Sequence, residues 1–277
     1  MDYSIRLSNG QILRGMIVSP GDKLRAVIIL IHGHGEHIGR YNHVAEHFVK
    51  KNIGFTGVDL PGHGRSDGKR GHIKSFSQLY EMADILLHEC RKTFPGIPVI
   101  LYGHSLGGVI ALDYILKKNS EVKAGVITSP LLRMAYKPAP VKVAMASVIK
   151  YILPGLTQSS GLPVHYISHN PEEIEKYKND ALMHDKCSAS LFDGFITAGK
   201  RCLKHASELK LPILILHGSD DHITSPDASR EFASKTPMAE LKIWDKGFHE
   251  LHNETFREEV LSFIENWIYR QIEVKTV

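Results

Sequence analysis

Cysteine is scarce in this chain: Cys90, Cys187 and Cys202 are odd in number and far apart in 277 residues. That excludes a disulfide framework and points to a reducing compartment, the cytoplasm. Long apolar runs are missing too, and none approaches the roughly 20 residues that cross a bilayer. The opening residues, Met1-Asp2-Tyr3-Ser4-Ile5-Arg6, have no basic or apolar leader region, so no signal peptide is expected. There is no dense Lys/Arg block, and the net charge of +4 offers no footprint for nucleic acid. No internal repeat, no low-complexity tract and no feature calling for a protein partner is visible. What remains is an ordinary globular composition, 43% hydrophobic and 23% charged. Its length suits one large α/β domain with a substantial core, or two small domains.

Taken in order, the chain alternates strand and helix patterns. Residues 3–18 alternate polar and apolar around Asn9-Gly10, the signature of a hairpin at a sheet edge. Ala26 to Ile31 is apolar without alternation, as a strand buried inside a parallel sheet would be. A helix is expected over 41–51, then a strand from Ile53 to Val58. Ser75 and Gln78 have capping-box spacing before a helix bearing Phe76, Leu79, Tyr80, Ala83, Leu86, Leu87 and Cys90. Strands follow near 97–101 and 122–128. The rhythm then breaks. Residues 131–190 show no clear strand, but an apolar helix from Val141 to Leu153 carries Lys142 and Lys150 between Pro138, Pro140 and Pro154. A short acidic helix covers Pro171 to Lys178. Strands resume at 211–216 and 239–244, and Thr255 with Glu258 is placed to cap a last helix that buries Trp267. The pattern is a doubly wound α/β fold with an insertion, and active residues in such sheets gather at the carboxyl ends of strands.

Three of those ends carry chemistry. Tyr102-Gly103-His104-Ser105-Leu106-Gly107-Gly108 lies between an apolar strand and the helical run Val109 to Leu116. Strand, Gly-x-Ser-x-Gly, helix is the context of a nucleophile elbow. Gly103 and Gly107 would remove Cβ atoms that clash in the tight turn, and the helix would aim its N-terminal amides at charge near Ser105. A serine needs a histidine base, and that histidine needs a carboxylate to fix its tautomer. The loop His217-Gly218-Ser219-Asp220-Asp221-His222 offers two carboxylates, and Phe248-His249-Glu250-Leu251-His252 offers the base. The order Ser, acid, His is that of α/β-hydrolases. His249 is preferred to His252 because it comes soonest after the strand and follows Gly247. Oxyanion donors fall by position on the backbone amides of Leu106 and His34. Ser66 lies in a polar loop without the strand and turn an elbow needs. His43, His47, His88 and His205 suit surface or packing roles.

One rival pattern is His32-x-His34-x-Glu36-His37, close to the His-x-His-x-Asp-His signature of dinuclear zinc hydrolases. Glu36 departs from it, and a metal reading leaves the serine elbow unexplained. No metal is therefore expected.

The sequence resembles the monoglyceride lipase and lysophospholipase branch of the serine α/β-hydrolases. The resemblance is carried by His32-Gly33-His34-Gly35-Glu36-His37 with Arg40-Tyr41, and by Asp59-x-x-Gly62-His63-Gly64-x-Ser66-x-Gly68. Further matches are Gly103-His104-Ser105-Leu106-Gly107-Gly108, His217-Gly218-x-x-Asp221, Phe248-His249-x-Leu251-His252-x-Glu254 and Tyr177-x-x-Asp180. It covers nearly the whole chain and is weakest in the insertion. His-Gly-x-x-Asp selects Asp221 over Asp220 as the acid. The resemblance implies an α/β-hydrolase fold: a mostly parallel central sheet with helices on both faces and a helical cap insertion. Its core would comprise 1–130 and 191–277, and its cap 131–190. It implies hydrolysis of a monoacylglycerol to glycerol and fatty acid by Ser105, His249 and Asp221, with no cofactor. Glu36, Arg40, Tyr177 and His252 become candidates for holding the glycerol head, although Glu36 and Arg40 also suit an ion pair. The family residue at position 34 is small, often Ala; here it is His34. An apolar cap helix flanked by lysines would shield an acyl chain or rest on a membrane surface. Rival substrates are lysophospholipids and short-chain esters, and the rival class is a hydrolase-fold binding protein without turnover.

Overall fold

A strand that is apolar on both faces needs cover on both sides, and that requirement builds this molecule. The computed structural model describes residues 2–118, 122–136 and 139–273. It opens with an antiparallel hairpin, β1 (Asp2–Arg6) and β2 (Ile12–Val18), whose connection passes through Gly10 at φ +87°. Then come β3 (Ala26–Ile31), α1 (Asn42–Lys50), β4 (Ile53–Val58), α2 (Ser77–Thr93), β5 (Val99–His104), α3 (Leu106–Lys118) and β6 (Ala124–Thr128). The inserted segment holds α4 (Pro140–Ile152), β7 (Thr157–Ser159), α5 (Pro171–Asn179) and β8 (Lys186–Ser188), and runs into α6 (Ala189–His205). The chain closes with β9 (Ile213–Gly218), α7 (Pro226–Ser234), β10 (Ala239–Trp244) and α8 (Arg257–Glu273).

The main sheet has the order β1-β2-β4-β3-β5-β6-β9-β10, parallel from β4 onward and antiparallel where β2 meets β1 and β4. Alternate residues of β3 feed opposite cores. Val27, Ile29 and Ile31 join Leu79, Leu112, Leu191 and Phe232 from α2, α3, α6 and α7. Ala26, Ile28 and Leu30 join Val44, Phe48, Ile264 and Trp267 from α1 and α8. The order of the chain along the sheet puts the carboxyl ends of β3, β5, β9 and β10 along one edge, beneath the inserted segment.

Several local expectations change. The segment 131–190 does contain strand: β7 and β8 pair antiparallel, with Gln158 opposite Cys187. Each has only three residues, too few to show a period. Ser75 does not cap α2. Phe76 occupies that position, Ser75 Oγ pairs with Ser77 Oγ, and Gln78 Oε1 accepts the Lys74 amide at 3.3 Å. The last helix begins at Arg257, two residues after Thr255. On α4, Val141, Met145, Val148, Tyr151 and Ile152 are exposed, Tyr151 to 80%. Lys150 turns back to Asp193 of α6 at 2.6 Å. Pro138 lies outside the described residues, as does the Lys142 side chain. No helix among the described residues is long and apolar enough to cross a membrane.

A charged staple holds the helical layer that includes α3, the helix after Ser105. Asp113 of α3 is fully buried and accepts Arg201 Nε of α6 at 2.6 Å, with Tyr80 of α2 bonded to the same carboxylate. Removing one partner of such a pair leaves a buried charge uncompensated. Arg201→Leu should therefore cost about 3 kcal/mol, the low end for a buried pair because Arg201 is partly exposed. Urea unfolding would measure it. A loss below about 1 kcal/mol would mean that Tyr80 and Lys117 suffice for Asp113.

Candidate active site

The turn from β5 into α3 forces Ser105 to φ +52°, a left-handed conformation that side chains rarely adopt. Two glycines let the helix come close enough to impose it. A Cβ on Gly103 would meet the Gly107 carbonyl oxygen at 2.4 Å, and one on Gly107 would meet the Ile31 carbonyl oxygen at 1.9 Å. The Ser105 amide donates to the Thr128 carbonyl at 3.0 Å, so the end of β6 fixes the turn from the other side.

Ser105 Oγ–H faces His249 Nε2 at 2.9 Å, and His249 Nδ1–H donates to Asp221 Oδ2 at 2.7 Å. The other carboxylate oxygen accepts the amides of Ile223 and Thr224 at 2.8 and 2.9 Å. His217 Nε2 and the Thr224 hydroxyl complete the set on Oδ2, at 3.0 and 2.8 Å. Burial pushes the Asp221 carboxyl up, but His249 and His217 together hold it well below the usual carboxylate range. Burial pushes the His249 imidazole down, yet the Asp221 charge and hydrogen bond, with Glu250 and Glu36, lift it above the ordinary histidine value. With Nδ1–H committed to Asp221, the neutral imidazole turns its Nε2 lone pair to the serine hydroxyl, and the raised pKa favours the imidazolium that forms when it takes a proton. Asp220 is exposed and bonds Ser219 Oγ at 2.9 Å.

Other residues hold this chain in place without having been singled out by the sequence. Ser129, at φ +45°, donates its hydroxyl to the His249 carbonyl at 2.7 Å. The Glu250 amide donates to the Ile167 carbonyl of the inserted segment at 2.7 Å. Of the groups around Asp221 and His249, His217 alone had a prior sign, in the motif His217-Gly218-x-x-Asp221, and Thr224 and Ser129 had none. Ser66, set aside in the sequence, bonds the Asp59 carbonyl at 2.7 Å.

The loop after β3 runs beside Ser105: a Cβ on Gly33 would lie 3.3 Å from Ser105 Cβ. Among the described residues, neither the His34 amide nor the Leu106 amide has a protein acceptor. A cavity opens above them. Its wall includes Gly33, His34, Glu36, Ser105 and His249 from the core and Leu162, Ile167 and Tyr177 from the inserted segment.

The four residues expected at the head group divide. Glu36 and Tyr177 line the cavity, whereas Arg40 and His252 lie behind its wall. Arg40 is taken by two carboxylates: both Glu250 oxygens at 2.7 Å and Glu36 Oε2 at 2.9 Å. Glu36 Oε1 accepts the Gly33 amide at 2.5 Å and the Tyr41 hydroxyl at 2.8 Å. Burial pushes Glu36 up, but Arg40, His104 and His32 hold it down to about 2. His252 is fully buried, stacked on Tyr41 at 4.7 Å and edge-on to His104 at 4.8 Å. The metal-like motif disperses as well. His32 Nδ1–H donates to Gly33 O at 2.9 Å, its Nε2 accepts the Leu60 amide at 2.9 Å, and His37 Nε2 pairs with Asp180 at 2.7 Å.

A serine on a left-handed elbow, a base and buried acid from later strand ends, and a mostly parallel sheet define a serine hydrolase of the α/β-hydrolase fold. The family described as "Serine aminopeptidase, S33" matches residues 22–256, and the chain belongs to it. An uncharacterized abhydrolase domain-containing protein of Dictyostelium discoideum is 36% identical over 92% of this chain, which spans 27% of that protein. The monoacylglycerol lipase of Mycolicibacterium smegmatis is 32% identical over 90% of both chains. The crystal structure of the Paleococcus ferrophilus monoacylglycerol lipase superposes with a TM-score of 0.86 at 32% identity, covering 93% of this chain and 99% of that one.

The geometry sets a pH dependence. The base acts only when neutral, so labelling of Ser105 by a fluorophosphonate should be full above the His249 pKa and fall as pH drops through it. The midpoint should lie above the ordinary histidine value. Asp221→Asn should move the midpoint down and slow labelling by about 10⁴. An unchanged midpoint in that variant would break the link between Asp221 and the base.

Proposed function

We propose that this protein hydrolyses carboxylic esters of lipids, monoacylglycerols foremost, through a Ser-His-Asp acyl-enzyme mechanism. The observation that carries the reading is the unbroken hydrogen-bonded chain from Ser105 through His249 to Asp221 at the floor of a cavity roofed by the inserted segment. Ser105 Oγ attacks the ester carbonyl while His249 Nε2 takes its proton. The tetrahedral oxyanion is held by the His34 and Leu106 amides. Collapse breaks the ester C–O bond, and His249 returns the proton to the departing glycerol. Water, deprotonated by His249, then attacks the acyl-enzyme and releases the fatty acid and Ser105. Losing one oxyanion donor typically costs 10²–10³ in rate.

The segment 131–190 serves in this reading as the cap, with the core formed by 1–130 and 191–277. Its roof residues Leu162 and Ile167 supply apolar wall, and Tyr177 supplies a polar group at the head-group side. The outer face of α4 supports contact with a lipid surface, since Met145, Val148, Tyr151 and Ile152 are all more than half exposed. Three free, buried cysteines agree with a cytoplasmic enzyme that meets lipid at the periphery of a membrane. The two named monoacylglycerol lipases above support the choice of substrate.

Ser105→Ala should reduce turnover of monoolein and of p-nitrophenyl butyrate by about 10⁶. A variant retaining a tenth of the activity would remove Ser105 from the mechanism. In the unmodified protein, monoolein should exceed lysophosphatidylcholine in kcat/KM, and the reverse order would name a lysophospholipase. Val148→Glu together with Tyr151→Glu should lower hydrolysis of monoolein in vesicles relative to a water-soluble ester. An unchanged ratio would take α4 out of lipid contact.

A further inference from the structure

The triad and the oxyanion amides leave the His34 side chain without a task. It lines the cavity that holds Ser105. Its ring stands edge-on to those of His63 and His184, 5.7 Å from each, at 77° and 83°. His184 belongs to the inserted segment, and its amide donates to the Gly35 carbonyl at 2.9 Å. The imidazole is therefore gripped between core and insertion beside the nucleophile.

Both ring nitrogens of His34 are buried, and neither has a hydrogen-bond partner among the described residues. A buried polar atom in that condition has lost its water without a replacement. The neighbouring imidazoles do not supply one. His63 Nδ1–H donates to the Pro61 carbonyl at 3.0 Å, and its Nε2 is unmatched among the described residues. His184 Nδ1 accepts the Lys186 amide at 3.2 Å, and its Nε2 has no hydrogen-bond partner among the described residues.

The chemistry of the missing partner follows from charge. Burial, then His184, pushes the His34 imidazole down to about 3, and burial, then Arg70, pushes His184 down to about 4. Both rings are neutral near pH 7. A neutral imidazole presents one N–H donor and one lone pair. An alcohol hydroxyl matches both roles. A phosphate offers only acceptors and a negative charge; Arg40 is committed to Glu36 and Glu250, and Arg70, which donates to the Gly64 carbonyl at 2.7 Å, is not part of the cavity wall.

We propose that His34 is a specificity-determining residue, whose imidazole hydrogen-bonds a hydroxyl of an uncharged polyol head group and so favours glycerol esters over esters of simple alcohols and over phosphodiester lipids. The assignment rests on the ester-hydrolase reading above.

The test uses three substrates that share one acyl chain: a monoacylglycerol, the methyl ester and a lysophosphatidylcholine. In His34→Phe and His34→Leu, the kcat/KM ratio of glycerol ester to methyl ester should fall about tenfold, mainly through KM, the scale of one lost hydrogen bond. His34→Gln, which keeps a donor and an acceptor, should restore the ratio to within about threefold. A ratio unchanged in both apolar variants overturns the assignment, as does a glutamine variant no better than leucine or a higher kcat/KM for lysophosphatidylcholine than for the glycerol ester in the unmodified protein. Absence of turnover of both neutral esters by the unmodified protein would overturn the ester-hydrolase reading itself, and this assignment with it.

Discussion

The contact between the start of α3 and the carbonyl end of β3 is the constraint on which the site depends. Gly107 leaves no room for a Cβ between the helix and the Ile31 carbonyl. Because the helix seats that closely, the chain leaves β5 through a left-handed serine, and its N-terminal amides come beside the loop that follows β3. Strain at Ser105 is thus a consequence of backbone packing in a fully buried sheet, where neither partner has room to relax. The Asp113–Arg201–Tyr80 staple acts on the same helix from its far side, so α3 is held against the sheet at one face and tied to α2 and α6 at the other.

A second network ties the loop after β3 to the loop that carries His249. Glu36 anchors the loop after β3 through the Gly33 amide, and Arg40 carries that anchor to Glu250, next to His249. The loop of Gly33 to Glu36 and the loop that carries His249 are joined by one guanidinium. The inserted segment fastens to both: His37 to Asp180, Gly35 to His184, and the His249 and Glu250 amides to the Tyr166 and Ile167 carbonyls. The roof is therefore part of the support of the base, and a change in the insertion is felt at His249 through main-chain hydrogen bonds.

How far the sequence revealed this depends on how local each cause is. The β-strands of the sheet were legible because burial on both faces leaves a composition signal that needs no knowledge of partners, as in β3 and β9. Ser105 and the loops of Asp221 and His249 were legible because turn chemistry at strand ends is written in adjacent residues. Choosing among neighbours within a loop needed more, and the resemblance supplied Asp221. Where the cause was a distant partner, the reading stopped short. Arg40 reads as a head-group ligand or as the ion-pair partner of Glu36; the pair forms, and Glu250, arriving from the other end of the chain, occupies the rest of its fork. His252 follows the same rule, since its ring goes to Tyr41 and His104 in a packing that only the folded sheet creates. Ser75 had the right spacing for a cap, but Phe76 takes that position and packs on the core beside Tyr80 and Gly194. The three-residue strands β7 and β8 carry no pattern at all.

The distribution of charge gives the site a direction. Around the triad, Glu36, Glu250 and Asp221 are set against the single guanidinium of Arg40. That surplus of negative charge, in a setting with little water to screen it, favours a positive charge on His249, which is the charge it acquires at each proton transfer. The same surplus opposes an anion lodged at Ser105. In the ester-hydrolase reading the substrate is neutral on arrival and one product is a carboxylate. The field that stabilises the imidazolium during reaction is therefore the field that disfavours the fatty acid once His249 has returned its proton. Catalysis and release draw on one arrangement of three carboxylates, and neither requires the roof to supply a charge of its own.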